Sequence, residues 1–176
     1  MPPFRLASDL LHEEQVAWGA NRFRMRLHAW TDYPARLLVS VRGVIFRGSK
    51  VVVVTTRYEN QFQHHINPGG RVEPGETWQQ ALRRELGEEC GWRVGRPRPL
   101  ALLHFRHLTP KPKNHPYAYP DFLQPVFLVE GVRYDRGLLK RAGEIETGSR
   151  LMSFAKAEDM IEVSQRKLLR LARSMR

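Results

Sequence analysis

The segment from Thr77 to Gly91 constrains the fold most, because both of its ends are marked in the sequence. Thr77 at the N-cap and Gln80 at N3 form a capping box, which satisfies two backbone donors at the start of a helix. Gly91 is the residue type expected in the left-handed conformation just after a helix. The sequence therefore predicts a helix from about Trp78 to Cys90, with β-rich runs before and after it.

Several runs around this helix have strand character, and the runs are residues 22–29, 37–46, 50–57, the end of 93–108, 122–130 and 151–154. The run 22–29 alternates apolar and basic residues, which predicts a half-buried strand whose outer side is a cationic ridge. Residues 10–18 have a weakly helical pattern with Ser8 as N-cap, and residues 165–174, capped by Ser164, predict a closing helix. This order of elements predicts an α/β sandwich with a mixed sheet.

The composition indicates the cellular compartment in which the protein folds. The chain has one cysteine, Cys90, so no intramolecular disulfide is possible and a reducing environment fits. Its first fourteen residues contain no apolar stretch of the kind found in signal peptides. The densest β-branched run, Val51 to Thr56, is far too short to span a membrane. We therefore expect a cytoplasmic protein with no membrane partner.

Three carboxylates lie where a helix tolerates them least. Glu85, Glu88 and Glu89 share one helix face, within the last turns, where the helix dipole disfavours negative charge. The segment Gly70 to Trp92 has net charge −2 in a chain of net charge +11. A hard divalent cation such as Mg²⁺ or Mn²⁺ would remove the repulsion, since it prefers carboxylate oxygens. A solvated acidic patch is the alternative for three glutamates taken alone.

These glutamates belong to a longer pattern, GRVEPGETWQQALRRELGEECGW from Gly70 to Trp92. The pattern resembles the Nudix box of the Nudix hydrolases at every fixed Gly, Glu and Arg, and it departs only at Trp92, where the family usually has an aliphatic residue. The resemblance implies an α/β/α sandwich with a mixed sheet. It divides the chain into residues 1–34, an N-terminal extension with an added strand, and residues 35–176, a Nudix-type domain that includes the C-terminal helix.

The resemblance also implies roles for the box residues. It makes Glu85, Glu88 and Glu89 metal ligands, with the Gly70 carbonyl as a further candidate ligand. It makes Arg84 the residue that holds Glu85 by a charged hydrogen bond.

Within the same box the resemblance makes Glu76 a brace at the junction of loop and helix. The general base is Glu89 in our first interpretation. The loop residues Glu144 and Glu146 are the alternatives, because the family places this base either in the box or on a later loop.

Four residues outside the box are candidates for binding substrate, and they are Arg57, Lys111, Tyr117 and Tyr119. Arg57 ends a strand just before the loop that leads to the box, where the family often has a phosphate-binding arginine. Lys111 and the two tyrosines belong to a proline-rich loop that mixes cations and aromatic rings, which suits a phosphate and a stacked base. Ordinary surface positions are the alternative for all four.

The resemblance implies a metal-dependent pyrophosphohydrolase that cleaves a nucleoside diphosphate linked to another group. It leaves open whether the substrate is a nucleoside triphosphate, a nucleotide sugar or ADP-ribose. The basic body and the ridge of Arg24, Arg26 and His28 keep RNA 5′-end or cap hydrolysis as a second interpretation. A third is a non-catalytic nucleotide sensor, although sensors typically lose box carboxylates that this chain retains. Extra N-terminal strands build dimers in some relatives, so a homodimer also remains open.

Overall fold

The computed structural model describes residues 6–58, 61–111, 113, 115–140 and 146–176. The strands in these ranges are β1 Leu10–Trp18, β2 Asn21–Ala29, β3 Arg42–Arg47, β4 Lys50–Tyr58, β5 Gln61–His65, β6 Trp92–Val94, β7 Arg98–His107, β8 Asp121–Tyr134 and β9 Glu146–Ser153. The α-helices are α1 Trp78–Cys90, α2 Phe154–Met160 and α3 Val163–Ser174. Short 3₁₀ turns form at Ala35–Leu37 and Arg136–Leu138.

The described strands form one sheet in the order β1-β2-β7-β8-β3-β4-β5, with β6 added to β8 and β9 added to β4. β3 runs parallel to β8, and the other named pairs of described strands are antiparallel. The sheet is therefore mixed, as predicted.

Helices cover both faces of the sheet. α1 packs Leu82, Leu86 and Cys90 into a cluster with Val52 and other residues of the central strands. On the opposite face, buried residues of α2 and α3 join a second cluster with β2, β7 and β8. Because each fully buried leucine contributes about 1.5–3 kcal/mol, these clusters fix the helices on the sheet. The predicted α/β/α sandwich is confirmed.

Both predicted ends of α1 are confirmed. The Thr77 hydroxyl accepts a hydrogen bond from the Gln80 backbone N–H, and the Gln80 side chain accepts one from the Thr77 N–H. Gly91 is left-handed, with φ 71°, and its N–H donates to the Gly87 carbonyl at 2.8 Å. Satisfied donors at one end and satisfied acceptors at the other hold the helix to its predicted length.

The helical prediction for residues 10–18 is wrong, since this segment is strand β1. Trp18 and Asn21 are paired residues of an antiparallel hairpin, and Gly19 turns the chain with φ 58°. Pairing with β2 satisfies the backbone and sets Glu13 opposite Arg26, which outweighs a weak helical pattern. The hairpin continues into the main sheet, because β2 also pairs with β7.

The closing helix is confirmed with an earlier start. α3 begins at Val163 and its N-cap is Glu162, so Ser164 lies inside the first turn and does not cap it. Lys167 Nζ donates to the Leu11 carbonyl at 3.1 Å, which joins the last helix to the first strand. No helix among the described residues has the length and apolarity that a membrane span requires.

Candidate active site

The loop before α1 is pressed between β3 and the helix. Gly69 has φ 139°, and a Cβ there would collide with the backbone of Val41 and Arg42. The Gly70 carbonyl accepts a hydrogen bond from the Val41 N–H at 2.9 Å. A Cβ on Gly70 would fall within the Glu85 carboxylate. Both glycines are therefore required by close approach, and the loop backbone lies against a box glutamate.

Arg84 is the centre of the ion pairs at this junction. Its Nε and Nη2 donate to the two oxygens of Glu76 at 2.9 Å each, and its Nη1 donates to Glu85 Oε1 at 2.8 Å. Nη2 also donates to the Arg71 carbonyl at 3.0 Å. These bonds lower the pKa of Glu76 and raise that of Arg84. Arg84 therefore links Glu76, Glu85 and the backbone of the loop, while its predicted role as the holder of Glu85 and that of Glu76 as the brace stay predictions.

The three box carboxylates lie on the flank of α1 that meets this loop. Glu85 and Glu88 are largely buried, with 15% and 20% of their side chains exposed. Glu88 lies 3.5 Å from Arg84 Nη1 and 2.5 Å from Lys140 Nζ. Glu89 Oε2 accepts a hydrogen bond from the Gly69 N–H at 2.8 Å. Lys140 was missed in the sequence, because nothing local marks a lysine so far beyond the helix as its partner.

The donor set fits a hard divalent cation, because carboxylate and carbonyl oxygens are the ligands that Mg²⁺ and Mn²⁺ prefer. In the described part of the chain, no three His, Cys, Asp or Glu side chains converge as a ready metal cluster. Arg84 and Lys140 supply the positive charge at Glu85 and Glu88 in this structure. A bound cation would therefore compete with these two side chains for the same oxygens.

A cavity of about 1020 Å³ opens beside this loop and is lined by Gly70, Arg71 and Tyr117. The guanidinium of Arg71 lies 4.8 Å from the centre of the Tyr117 ring, a cation–π contact that joins the two walls. Arg42 lines the same cavity and donates to Gln124 at 3.3 Å. Both arginines are suited to bind phosphate. Neither was singled out in the sequence, since a single arginine carries no spacing signal.

Other predicted substrate residues lie elsewhere. Arg57, Lys111 and Tyr119 are not among the described residues that line the cavity. Tyr119 donates to the Thr109 carbonyl at 3.0 Å and so stabilises its own loop.

The two alternative bases are Glu144 and Glu146. Glu144 lies outside the described residues. Glu146 begins β9 opposite Thr56, and its side chain is not described by the structure.

The predicted cationic ridge lies on the opposite face of β2 from the cavity, because Phe23 and its alternate neighbours line the cavity. Arg26 pairs with Glu13 at 2.5 Å, and Arg24 lies 3.9 Å from the same carboxylate. His28 is buried, and burial lowers its pKa. Glu13 therefore offsets one of the two arginine charges, and the ridge keeps a net positive charge.

Three glutamates thus lie on one flank of a capped helix, against a Gly-Gly loop that also borders a cavity, and this arrangement is suited to phosphate chemistry. The family model described as NUDIX domain matches residues 36–172. The chain belongs to the Nudix family and is a hydrolase that acts on pyrophosphate bonds. No curated protein matches the chain significantly.

Solved structures share the fold. A NUDIX hydrolase from Nitrosomonas europaea is similar with TM-score 0.58 and 18% identity, over 78% of this chain and 89% of that one. An ADP compounds hydrolase gives TM-score 0.54 and 16% identity, over 98% of this chain and 96% of that one. A pyrophosphohydrolase of Bacillus subtilis gives TM-score 0.53 and 20% identity, over 80% of this chain and 77% of that one. At these identities the likeness shows the fold.

Proposed function

We propose that this hydrolase is metal-dependent and cleaves a nucleoside diphosphate linked to another group, by attack of water on phosphorus. The observation that carries the proposal is the continuity of the site, since the Gly70–Arg71 loop both contacts the box helix and lines the cavity. A volume of about 1020 Å³ admits a whole nucleotide. Nucleotide sugars, ADP-ribose and nucleoside triphosphates are the substrates to compare.

The carboxylates of Glu85, Glu88 and Glu89 and the Gly70 carbonyl would hold Mg²⁺ or Mn²⁺. The bound metal would neutralise phosphate oxygens and lower the pKa of a bound water. Arg84 would keep Glu85 in place through the bond at 2.8 Å and, through its two bonds to Glu76, fix the loop.

Glu89 is the proposed general base. Its Oε2 is already oriented by the Gly69 N–H at 2.8 Å, so the side chain is directed toward the loop that borders the cavity. A positioned base contributes about 10²–10⁴-fold in rate. Arg71 and Arg42, on the cavity wall, would bind the polyphosphate and orient its reacting phosphorus.

The position of the cationic ridge does not favour the RNA interpretation. Arg24 and Arg26 share Glu13, and they lie on the face of β2 that does not line the cavity. A phosphate track toward the site would have to use other basic residues. Small nucleotides therefore remain the better-supported substrates, and 5′-triphosphate RNA belongs in the assay as the competing case.

The test is hydrolysis of a nucleotide panel with Mg²⁺ and with Mn²⁺, with the products identified by mass. The panel contains ADP-ribose, nucleotide sugars, nucleoside triphosphates, dinucleoside polyphosphates and 5′-triphosphate RNA. Glu89→Gln is expected to lower kcat by about 10²–10⁴-fold. The matched control is Glu130→Gln, which changes an exposed carboxylate at the far part of β8 and is expected to keep full activity.

Two outcomes would refute the proposal. If no compound is cleaved with either metal, the chain does not act on these nucleotides. If Glu89→Gln cleaves as fast as Glu130→Gln, Glu89 is not the base. The loop residues Glu144 and Glu146 would then be substituted next.

A further inference from the structure

The N-terminal hairpin builds one wall of the cavity although it lies outside the family match. The match begins at residue 36, whereas β1 and β2 span Leu10–Trp18 and Asn21–Ala29. Side chains from both strands line the cavity, among them Trp18 and Phe23. The same cavity reaches Gly70 and Arg71 beside the box helix. The hairpin therefore contributes surface to a site whose chemistry is supplied elsewhere.

The hairpin end of the cavity is aromatic. The Trp18 ring lies 4.7 Å from the ring centre of Phe23 and 4.9 Å from that of Phe105. Phe105 in turn stacks on Phe122, with ring centres 5.0 Å apart. Phe23, Phe105 and Phe122 are buried, but Trp18 is 48% exposed. A large aromatic ring is thus left partly uncovered at the edge of a cavity, packed on rings that hold it in place.

Buried polar atoms without a partner line the same cavity. Ser40 is 3% exposed and His107 is 8% exposed. Within the described residues, neither Ser40 Oγ nor His107 Nδ1 has a hydrogen-bond partner. Burial and the nearby His115 lower the pKa of His107, so its ring is neutral and offers one donor and one acceptor. Leaving a buried polar group without a hydrogen bond costs free energy. Such groups are therefore expected where a bound ligand supplies the missing hydrogen bond.

The cavity has a basic end and an aromatic end. Arg71 and Arg42 border it near the box, and the aromatic rings with His107 border it at the hairpin. Tyr117 connects the two, since it lines the cavity and stacks against Arg71 at 4.8 Å. A nucleotide has the same division, with an anionic polyphosphate at one end and an apolar, hydrogen-bonding base at the other.

We propose that the Trp18 end of the cavity binds the nucleobase of the substrate, which makes the N-terminal hairpin a substrate-recognition element. This inference rests on the proposed function. It predicts that the enzyme selects nucleotides over pyrophosphates that lack a base. Trp18 supplies the stacking surface, and His107 supplies a hydrogen bond to the base, whereas Ser40, which pairs with Arg71, borders the phosphate end.

The test is direct binding of AMP to the metal-free protein by isothermal titration calorimetry. Trp18→Ala is expected to bind AMP about ten- to a hundredfold more weakly than the wild type, and Trp18→Phe to retain most of the affinity. The matched control is Leu10→Ala, which removes an exposed apolar side chain from the same strand at a position that does not line the cavity. It is expected to bind AMP as the wild type does.

A kinetic assay separates this inference from the proposed function. With a cleaved nucleotide, Trp18→Ala is expected to raise KM with little change in kcat, because the base lies far from the reacting phosphorus. With inorganic triphosphate, which has no base, wild type and variant should behave alike. Unchanged AMP affinity and unchanged KM in Trp18→Ala would overturn the base site and leave the hydrolase intact. AMP binding that depends on Trp18 without hydrolysis would support the base site and refute the activity.

Discussion

Arg84→Lys keeps the positive charge at the centre of the site but removes the planar guanidinium, whose several N–H groups bond two carboxylates at once. The guanidinium bonds both oxygens of Glu76 and one of Glu85, at 2.8–2.9 Å, whereas an ammonium group reaches only one of these carboxylates well. Hydrogen bonds to charged groups contribute about 1.5–3 kcal/mol each, and the 22% exposure of Arg84 reduces that value. Because at least two bonds are lost, we expect a destabilisation of about 3 kcal/mol, or a Tm lower by about 6–12 °C.

Thermal unfolding monitored by circular dichroism measures this change. Arg83→Lys is the control, because Arg83 is the exposed neighbour on the same helix and its replacement should leave Tm unchanged. Arg84→Lys is also expected to lose activity, since Glu85 is no longer held in place. Equal Tm values for Arg84→Lys and Arg83→Lys would refute the argument that the fork of bonds, and not the charge alone, holds the loop on the helix.

Three further predictions follow from the same region. Arg84 holds the pKa of Glu76 below its ordinary value of 4.5, so Glu76 stabilises the fold above that pH. The stability lost in Glu76→Gln, measured by urea unfolding, should therefore be largest at neutral pH and shrink as the pH falls through the lowered pKa. Gly87→Ala should stabilise the protein by about 1 kcal/mol in the same assay, because its Cβ would meet Leu138 at an ordinary 3.5 Å; a loss of stability would contradict this. Gly70→Ala should displace the Glu85 carboxylate and lower kcat/KM by about a hundredfold; an unchanged rate would show that the close contact does not matter.

Local signals predicted the box helix well. Thr77, Gln80 and Gly91 act within a few residues of the backbone groups that they satisfy, so their effect can be read without the rest of the fold. The β-rich runs 37–46 and 50–57 were likewise predicted from local composition, and they contain most of the antiparallel strands β3 and β4. The flank that carries Glu85, Glu88 and Glu89 follows from helical spacing alone.

Long-range pairing explains what sequence reasoning missed. Residues 10–18 are a strand because β2 lies beside them, and β2 is itself held by β7 far along the chain. The contacts of Lys140 with Glu88 and of Arg71 with Tyr117 depend on loops whose course no local pattern sets. Trp18 was assigned to a helix, so its place on the cavity wall could not be foreseen.

The pairing of β2 with β7 also has a consequence for how the chain is made. A hairpin alone is at best marginally stable in water, so β1 and β2 cannot be secured until β7 has left the ribosome. At ordinary synthesis rates this wait lasts on the order of several seconds, during which Phe23, Met25 and Leu27 have no core to enter. The last helix must follow before Lys167 can reach Leu11. A chaperone that binds extended apolar segments should therefore raise the yield of folded protein.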